Sequence, residues 1–188
     1  MARSIRIRGL EIGEGLPKIC IPLVACEEDE IFREAAEVKR AEPDMVEWRI
    51  DRMGQALDTA AVQRVLAGLR EIFPDIPLLA TFRTVAEGGA CPCSPRDYEA
   101  VCRAVVETGL ADLLDVEYSA GREAVGRLSS MAHAKGMYVI ISAHDFSGTR
   151  RRACCAAGGH DSRPRGRMVK LAVMPRCASA CGCAPARH

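Results

Sequence analysis

The stretch DMVEWRID, residues 44–51, decides the fold of this chain. Its alternation predicts a β-strand that carries Glu47 and Arg49 on one face. Val46 and Trp48 lie on the other face. A parallel strand covered by helices needs an apolar outer face. The charged side chains therefore point to the opposite side, which is the interior if the sheet forms a barrel.

The same kind of strand recurs along the chain and alternates with amphipathic helices. Strands are predicted at 19–24, 45–50, 77–83, 111–117, 137–143 and 169–174. Helices are predicted at 28–40, at 59–73, from the Ser94-Pro95 start to Gly109, and at 123–135 before Gly136. Residues 4–13 predict a short hairpin. Strands separated by helices pair in parallel through right-handed crossovers, so we expect an α/β fold of the (β/α)8 TIM-barrel type.

The composition fits one folded domain. The chain has 188 residues, of which 48% are hydrophobic and 27% charged, with a net charge of +1. No apolar run approaches the roughly 18 residues of a membrane helix. The N-terminus lacks the apolar segment of a signal peptide. These features predict a soluble, cytoplasmic protein.

The last fifth of the chain has a different character. Residues 150–188 hold nine basic residues, one acid and half of the ten cysteines. Residues 150–167 contain no large apolar side chain, so no helix that packs on a sheet is predicted there. We expect residues 1–175 to form a single incomplete barrel of about six strands, irregular over 150–167, followed by an irregular cysteine-rich tail at 176–188. Our hypothesis is that 150–167 and 176–188 are translated in a shifted reading frame.

Polar residues recur on one parity of five successive strands, near their carboxyl ends. They are Glu47 and Arg49, Thr81 and Arg83, Asp115 and Glu117, Ser142 and His144, and Lys170. Buried charge is costly unless it is paired or used, so this pattern predicts an active site at that end of the barrel. Lys170 has no acid within reach along its own apolar strand. Two interpretations stay open: a Schiff-base nucleophile, or a lysine that extends to the barrel end.

These residues resemble the type I 3-dehydroquinate dehydratase family of the shikimate pathway. The matching stretches are PKICIPLV at 17–24, DMVEWRID at 44–51, TFRT at 81–84 with EGG at 87–89, residues 112–117, SAHDF at 142–146 and KLAVMP at 170–175. They follow one another in family order and at family spacing. Glu-Trp-Arg-x-Asp together with His-Asp-Phe is the specific part of the match.

The resemblance implies a (β/α)8 barrel that dehydrates 3-dehydroquinate to 3-dehydroshikimate in chorismate and aromatic amino-acid biosynthesis. It implies no metal and no organic cofactor, and a homodimer. From the residues themselves we expect no nucleic-acid and no membrane partner. Lys170 matches the lysine that forms an imine with the substrate ketone. His144 matches the general acid–base, and Glu87 the carboxylate that orients it. The substrate-binding positions are Glu47, Trp48, Arg49 and Arg83.

The chain also departs from the family pattern. Ala143 replaces a larger polar residue, and Pro22 replaces a serine that touches substrate in some members. The family takes a substrate arginine from strand seven, and serine and glutamine from the loop after strand eight, and we find no counterpart here. Strand number, tilt and shear are linked in a barrel, so six strands do not close an eight-stranded one. We therefore expect little or no turnover from the chain as written.

Three other functions are weighed against this one. Cys177, Cys181 and Cys183 with His188, and Cys154-Cys155 with His160, offer metal ligands on a non-catalytic barrel remnant, but their spacing is not that of a zinc ribbon. The arginines of 150–167 lack the interleaved aromatic residues of a nucleic-acid-binding segment. Another Schiff-base barrel lyase or aldolase is the third alternative, and its substrate would distinguish it.

Overall fold

The computed structural model describes residues 4–146 and 167–173. The strands are β1 (Ile5–Ile7), β2 (Leu10–Ile12), β3 (Cys20–Leu23), β4 (Met45–Arg49), β5 (Leu78–Thr81), β6 (Leu113–Glu117), β7 (Tyr138–Asp145) and β8 (Arg167–Val173). The helices are α1 (Glu28–Arg40), α2 (Thr59–Ile72), α3 (Pro95–Thr108) and α4 (Arg122–Ala134). Of the segment predicted to be irregular over 150–167, Arg167 instead begins β8, and 150–166 lie outside the described residues, as does the predicted tail at 176–188.

The sheet confirms the predicted α/β class. β3 to β8 pair in parallel, each with the next strand in the chain, and β1 and β2 form the predicted antiparallel hairpin. Within the described ranges β3 and β8 are the two outer strands of this six-stranded sheet. None of the helices in these ranges is both long and apolar enough to span a membrane.

The helices begin and end where local sequence dictates. Asp58 accepts hydrogen bonds from the first backbone N–H groups of α2. Ser94 and Asp97 form a reciprocal capping box at the start of α3, as the sequence predicts, and α3 ends at Gly109. Such caps satisfy the backbone groups that a helix end leaves without partners. Within the described residues, β3 to β6 are each followed by a helix, α1 to α4 in turn.

The main core lies between the sheet and the helices. Outward-facing strand residues such as Val46, Phe82 and Val116 pack there with helix residues such as Leu66 and Leu128, all of them buried. Burial of apolar surface of this kind is the dominant stabilising contribution to folding. The outer face of the sheet is thus apolar, as strand parity requires.

A second, smaller core fills the amino end of the barrel interior. Met45, Leu79 and Leu113 pack there against Ile7 of the hairpin, with other hairpin residues around them. Asp112 anchors the hairpin, because its Oδ1 accepts a hydrogen bond from Arg8 at 2.7 Å and its Oδ2 accepts one from Arg70 at 2.7 Å. The hairpin therefore covers one end of the interior and leaves the carboxyl end for polar side chains.

Candidate active site

Strand register brings the polar residues to the carboxyl end of the interior. Thr81 of β5 pairs with Asp115 of β6. Glu117 of β6 pairs with Ser142 of β7, and Ser142 pairs with Lys170 of β8. Directly paired residues share one face of a sheet. The polar residues of β5 to β8 therefore face the same interior space.

Arg83 is the centre of a buried ionic network. Its Nη2 donates to Asp115 Oδ2 at 2.9 Å, and its Nη1 donates to Glu117 Oε1 at 3.1 Å and to Ser142 Oγ at 2.9 Å. Its Nη1 also lies 3.5 Å from Glu87 Oε2. One guanidinium thus serves three carboxylates.

Two carboxyl groups of this network, those of Asp115 and Glu117, have raised pKa values. Burial raises the pKa of Asp115 above its usual value, although Arg83 opposes the change. Burial also raises the pKa of Glu117, against the hydrogen bonds donated by the Thr84 N–H and hydroxyl groups. Desolvation disfavours the charged form of an acid, which explains both directions. Arg83 offsets this desolvation only in part for either carboxyl.

Glu87 orients the ring of His144. Glu87 Oε2 lies 2.9 Å from His144 Nδ1 and also accepts the backbone N–H of His144 at 3.1 Å. Burial acts to raise the pKa of Glu87, but hydrogen bonds from His144 and Ser119, with the charge of Arg83, hold it below its usual value. An ionised carboxylate only accepts hydrogen bonds, so Nδ1 carries the proton. The Nε2 atom is then free to act as a base.

The two glycines after Glu87 make this arrangement possible. Gly88 has φ of 86°, and a Cβ there would lie 2.7 Å from the ring of Phe146. A Cβ on Gly89 would lie 1.8 Å from the carbonyl oxygen of Arg83. Only glycine fits such a close backbone approach. The space left by Gly88 admits Phe146, whose ring centroid lies 6.4 Å from that of His144.

Lys170 reaches the same space from β8. Its Nζ lies 3.9 Å from Glu47 Oε1, and its side chain is 43% exposed. The hydroxyl of Thr81 donates to that Glu47 oxygen at 2.7 Å. The expectation that Lys170 has no acid within reach holds along its own strand only, because Glu47 approaches it from β4. The fold thus brings Lys170 a carboxylate that its own strand does not offer.

Arg49 lies at the carboxyl end of the interior, whereas Trp48 lies in the core between the sheet and the helices. Arg49 donates two hydrogen bonds to the buried Asp51, at 2.8 and 2.9 Å. This bidentate pair fixes the direction of a partly buried guanidinium. Trp48 is only 1% exposed and belongs to the core between sheet and helices. The structure does not bring Trp48 to the other predicted site residues, because its parity is opposite to theirs, and we omit it from the site.

A thiol near Glu47 is a poor alternative nucleophile. Although Cys20 is an exposed residue of the outer strand β3, local desolvation of the thiol raises its pKa to about 11, with Glu47 adding to the increase. The thiolate is the reactive form, so Cys20 stays protonated and unreactive near neutral pH. In the part of the chain that the structure describes, no group of three or more His, Cys, Asp or Glu side chains is placed to hold a metal ion. The cysteine-rich tail that was weighed as a metal site lies outside that part.

Sequence reasoning missed two hydroxyl donors of this site. The hydroxyl of Ser119 donates to Glu87 Oε1 at 2.5 Å, and that of Thr84 donates to Glu117 Oε2 at 2.7 Å. Both residues lie just beyond strand ends, Ser119 in the 3₁₀ turn Tyr118–Ala120. Strand parity carries no information past the end of a strand. The alternation of polar and apolar residues along the strands therefore does not predict either hydroxyl.

Fold and site together define a class of protein. The wall of a (β/α) barrel carries a lysine amine, a histidine–carboxylate pair and buried arginines at its carboxyl end, where active sites of this fold lie. Such a set suits acid–base chemistry on a substrate held next to an amine.

Comparison with known proteins identifies the family. The type I 3-dehydroquinase family model matches residues 19–181. A 3-dehydroquinate dehydratase of Clostridioides difficile (strain 630) is 38% identical over 177 residues, which are 94% of this chain and 69% of that protein. One of Bacillus subtilis (strain 168) is 38% identical over 179 residues, covering 91% and 68%. The solved structure of 3-dehydroquinate dehydratase from Enterococcus faecalis matches with a TM-score of 0.87 at 33% identity, covering 94% of this chain and 74% of that one. The chain belongs to the type I 3-dehydroquinase family.

Proposed function

We propose that this chain is a 3-dehydroquinate dehydratase, a lyase that works through an imine on Lys170. The observation that carries the proposal is the register of β7 and β8. Lys170 pairs with Ser142, and His144 lies two residues further along on the same face. An amine and an oriented imidazole therefore share one open space. The family match and the curated relatives support the substrate and the reaction.

The steps balance without any cofactor. The amine of Lys170 attacks the substrate ketone, and water leaves as the imine forms. The imine withdraws electrons and acidifies the neighbouring C–H, so Nε2 of His144 removes that proton. The electron pair shifts to expel the adjacent hydroxyl, which takes the proton back from His144 and departs as water. Hydrolysis of the imine then releases 3-dehydroshikimate and restores the amine.

The remaining site residues bind the substrate or hold the charged side chains of the interior in place. Arg49, fixed by Asp51, presents its guanidinium to hydroxyl or carboxylate oxygens of the substrate. Glu47 lies beside the reacting amine and is oriented by Thr81. Arg83 donates to the carboxylates of Asp115 and Glu117 and so holds their charge in the interior. The substrate contact that the resemblance implies for Arg83 is a separate part of the proposal.

We also propose the domain bounds, the cellular location and the assembly state of the protein. We place one barrel domain over residues 1–175, in the cytoplasm, as a homodimer. Light scattering of the purified protein measures the assembly directly. A monomer at micromolar concentration would refute the dimer and leave the chemistry untouched.

Trapping with borohydride tests the proposed function. Reduction in the presence of 3-dehydroquinate should add substrate mass to the peptide that contains Lys170. Lys170→Ala should abolish the label, while Lys135→Ala, which removes a surface amine, should keep it. His144→Ala should keep some label and lose the absorbance of the enone product, because the two residues act at different steps. A label on another lysine would refute the assignment.

Turnover of the 188-residue chain is a separate measurement. The sequence predicts little or none, and enone absorbance followed from 3-dehydroquinate gives the rate. A rate equal to that of the Bacillus subtilis relative would show that expectation to be wrong, and would leave the assignment of Lys170 intact.

A further inference from the structure

Glu87 has a third partner besides His144 and Arg83. Its Oε2 accepts both hydrogen bonds from His144, while its Oε1 accepts the hydroxyl of Ser119 at 2.5 Å. The two oxygens of one carboxylate are therefore held from opposite sides. Ser119 Oγ also lies 3.4 Å from Glu117 Oε2. The single hydroxyl proton goes to the nearer oxygen, which is that of Glu87.

We propose that Ser119 is a positioning residue, which holds the carboxylate of Glu87 in the rotamer that keeps His144 protonated at Nδ1. The proposal deepens the proposed function and rests on it. Nothing in the strand pattern or in the motif residues assigns a role to Ser119.

The surroundings of Glu87 explain why a second anchor matters. Arg83 Nη1 lies 3.5 Å from the same Oε2 that accepts from His144. The terminal torsion of a glutamate is broad, so the carboxylate turns easily unless both oxygens are held. A turned carboxylate would face Arg83 more fully and His144 less. The Ser119 hydrogen bond opposes this rotation.

The backbone around Ser119 fixes the direction of its hydroxyl. Ser119 is the middle residue of the 3₁₀ turn Tyr118–Ala120, directly after β6. Gly121, with φ of 91°, follows and leads into α4. The strand on one side and the helix on the other hold this turn, so the hydroxyl is in place before substrate binds. A preorganised donor of this kind costs no rearrangement during the reaction.

Nitrogen-15 NMR of the His144 ring tests the proposal without relying on turnover. Ser119→Ala removes the donor, Ser119→Thr retains it, and Ser130→Ala removes an exposed hydroxyl on α4. Glu87→Gln shows the spectrum of a ring without its carboxylate partner. For Ser119→Ala we expect the ratio of the Nδ1-protonated to the Nε2-protonated tautomer to fall by about two- to tenfold, the equivalent of one hydrogen bond. Ser119→Thr and Ser130→Ala should give the wild-type ratio.

Kinetic readouts separate this role from a structural one. Imine formation does not use the His144 base, so borohydride labelling of Lys170 should be unchanged in Ser119→Ala. Exchange of the substrate C–H next to the unreduced imine with solvent, followed before borohydride is added, should slow by about the same two- to tenfold. A tautomer ratio in Ser119→Ala equal to that of wild type would overturn the positioning role. Absence of label on wild-type Lys170 would instead overturn the proposed function, and the NMR result would still stand.

Discussion

Replacing Arg83 with methionine should be among the most destabilising single changes in this chain. Methionine keeps an unbranched apolar stem and removes the guanidinium. Asp115, with a side chain 0% exposed, and Glu117, with a side chain 1% exposed, then lose the cation that they share. Removing one partner of a buried ion pair costs about 3–5 kcal/mol. That is a large share of the roughly 5–15 kcal/mol that keeps a domain folded.

The destabilisation should depend on pH in a defined direction. Burial already raises the pKa of Asp115 and of Glu117 in the folded protein, and Arg83 opposes this for both. A carboxyl whose folded-state pKa is raised stabilises the fold at acidic pH, and this contribution is lost as pH rises through the folded-state pKa. Without Arg83 both pKa values rise further. The cost of Arg83→Met should therefore be greater at about pH 8 than at about pH 5.

The measurement is urea unfolding followed by the fluorescence of Trp48. This is the single tryptophan of the chain, and it is buried in the core. Arg127→Met is the matched control, because Arg127 pairs with Glu99 at 2.9 Å but is 55% exposed. An exposed pair contributes up to about 1 kcal/mol. A cost for Arg83→Met below about 1 kcal/mol, or one equal at the two pH values, would refute the reasoning.

Three further changes test single features of the fold. Asp58→Ala removes the N-cap of α2 and should lower the free energy of unfolding by about 1 kcal/mol, and an unchanged urea midpoint would contradict this. Gly89→Ala places a methyl group against the carbonyl oxygen of Arg83 and should cost at least about 1–3 kcal/mol, checked by the same unfolding curve. Tyr98→Phe removes the acceptor of the buried Glu117 N–H and should cost about 1–3 kcal/mol; slow hydrogen exchange at that amide in the variant would argue against it.

Local sequence rules predicted the elements and the facing of the strands. The side-chain period of two is fixed by strand geometry, so the interior positions of β4 to β8 follow from the sequence alone. The start of α3 at Ser94 and Asp97 follows from side chains that bond to backbone groups three residues away. Such interactions are complete within a few residues. They are therefore visible without knowledge of the rest of the fold.

Local sequence rules did not predict which charged side chains pair in the interior. Arg83 donates to three side chains that lie 32 to 59 residues further along the chain. Lys170 meets Glu47 from a strand at the opposite side of the described sheet. The motif around Trp48 suggested a substrate contact, whereas strand parity already pointed that side chain outward. Where motif and geometry disagreed, the geometry was the better guide to position.

The charges in the interior fit the chemistry proposed for it. The carboxyl end of the barrel gathers more carboxylates than cations: Glu47, Asp51, Glu87, Asp115 and Glu117 against Arg49, Arg83 and Lys170. Under the proposed mechanism Lys170 passes through a protonated imine, and His144 becomes an imidazolium when it takes the substrate proton. The imidazolium is a cation that forms next to preplaced negative charge, and the protonated imine keeps the positive charge of Lys170 beside Glu47. The apolar hairpin core at the other end confines this chemistry to one opening of the barrel.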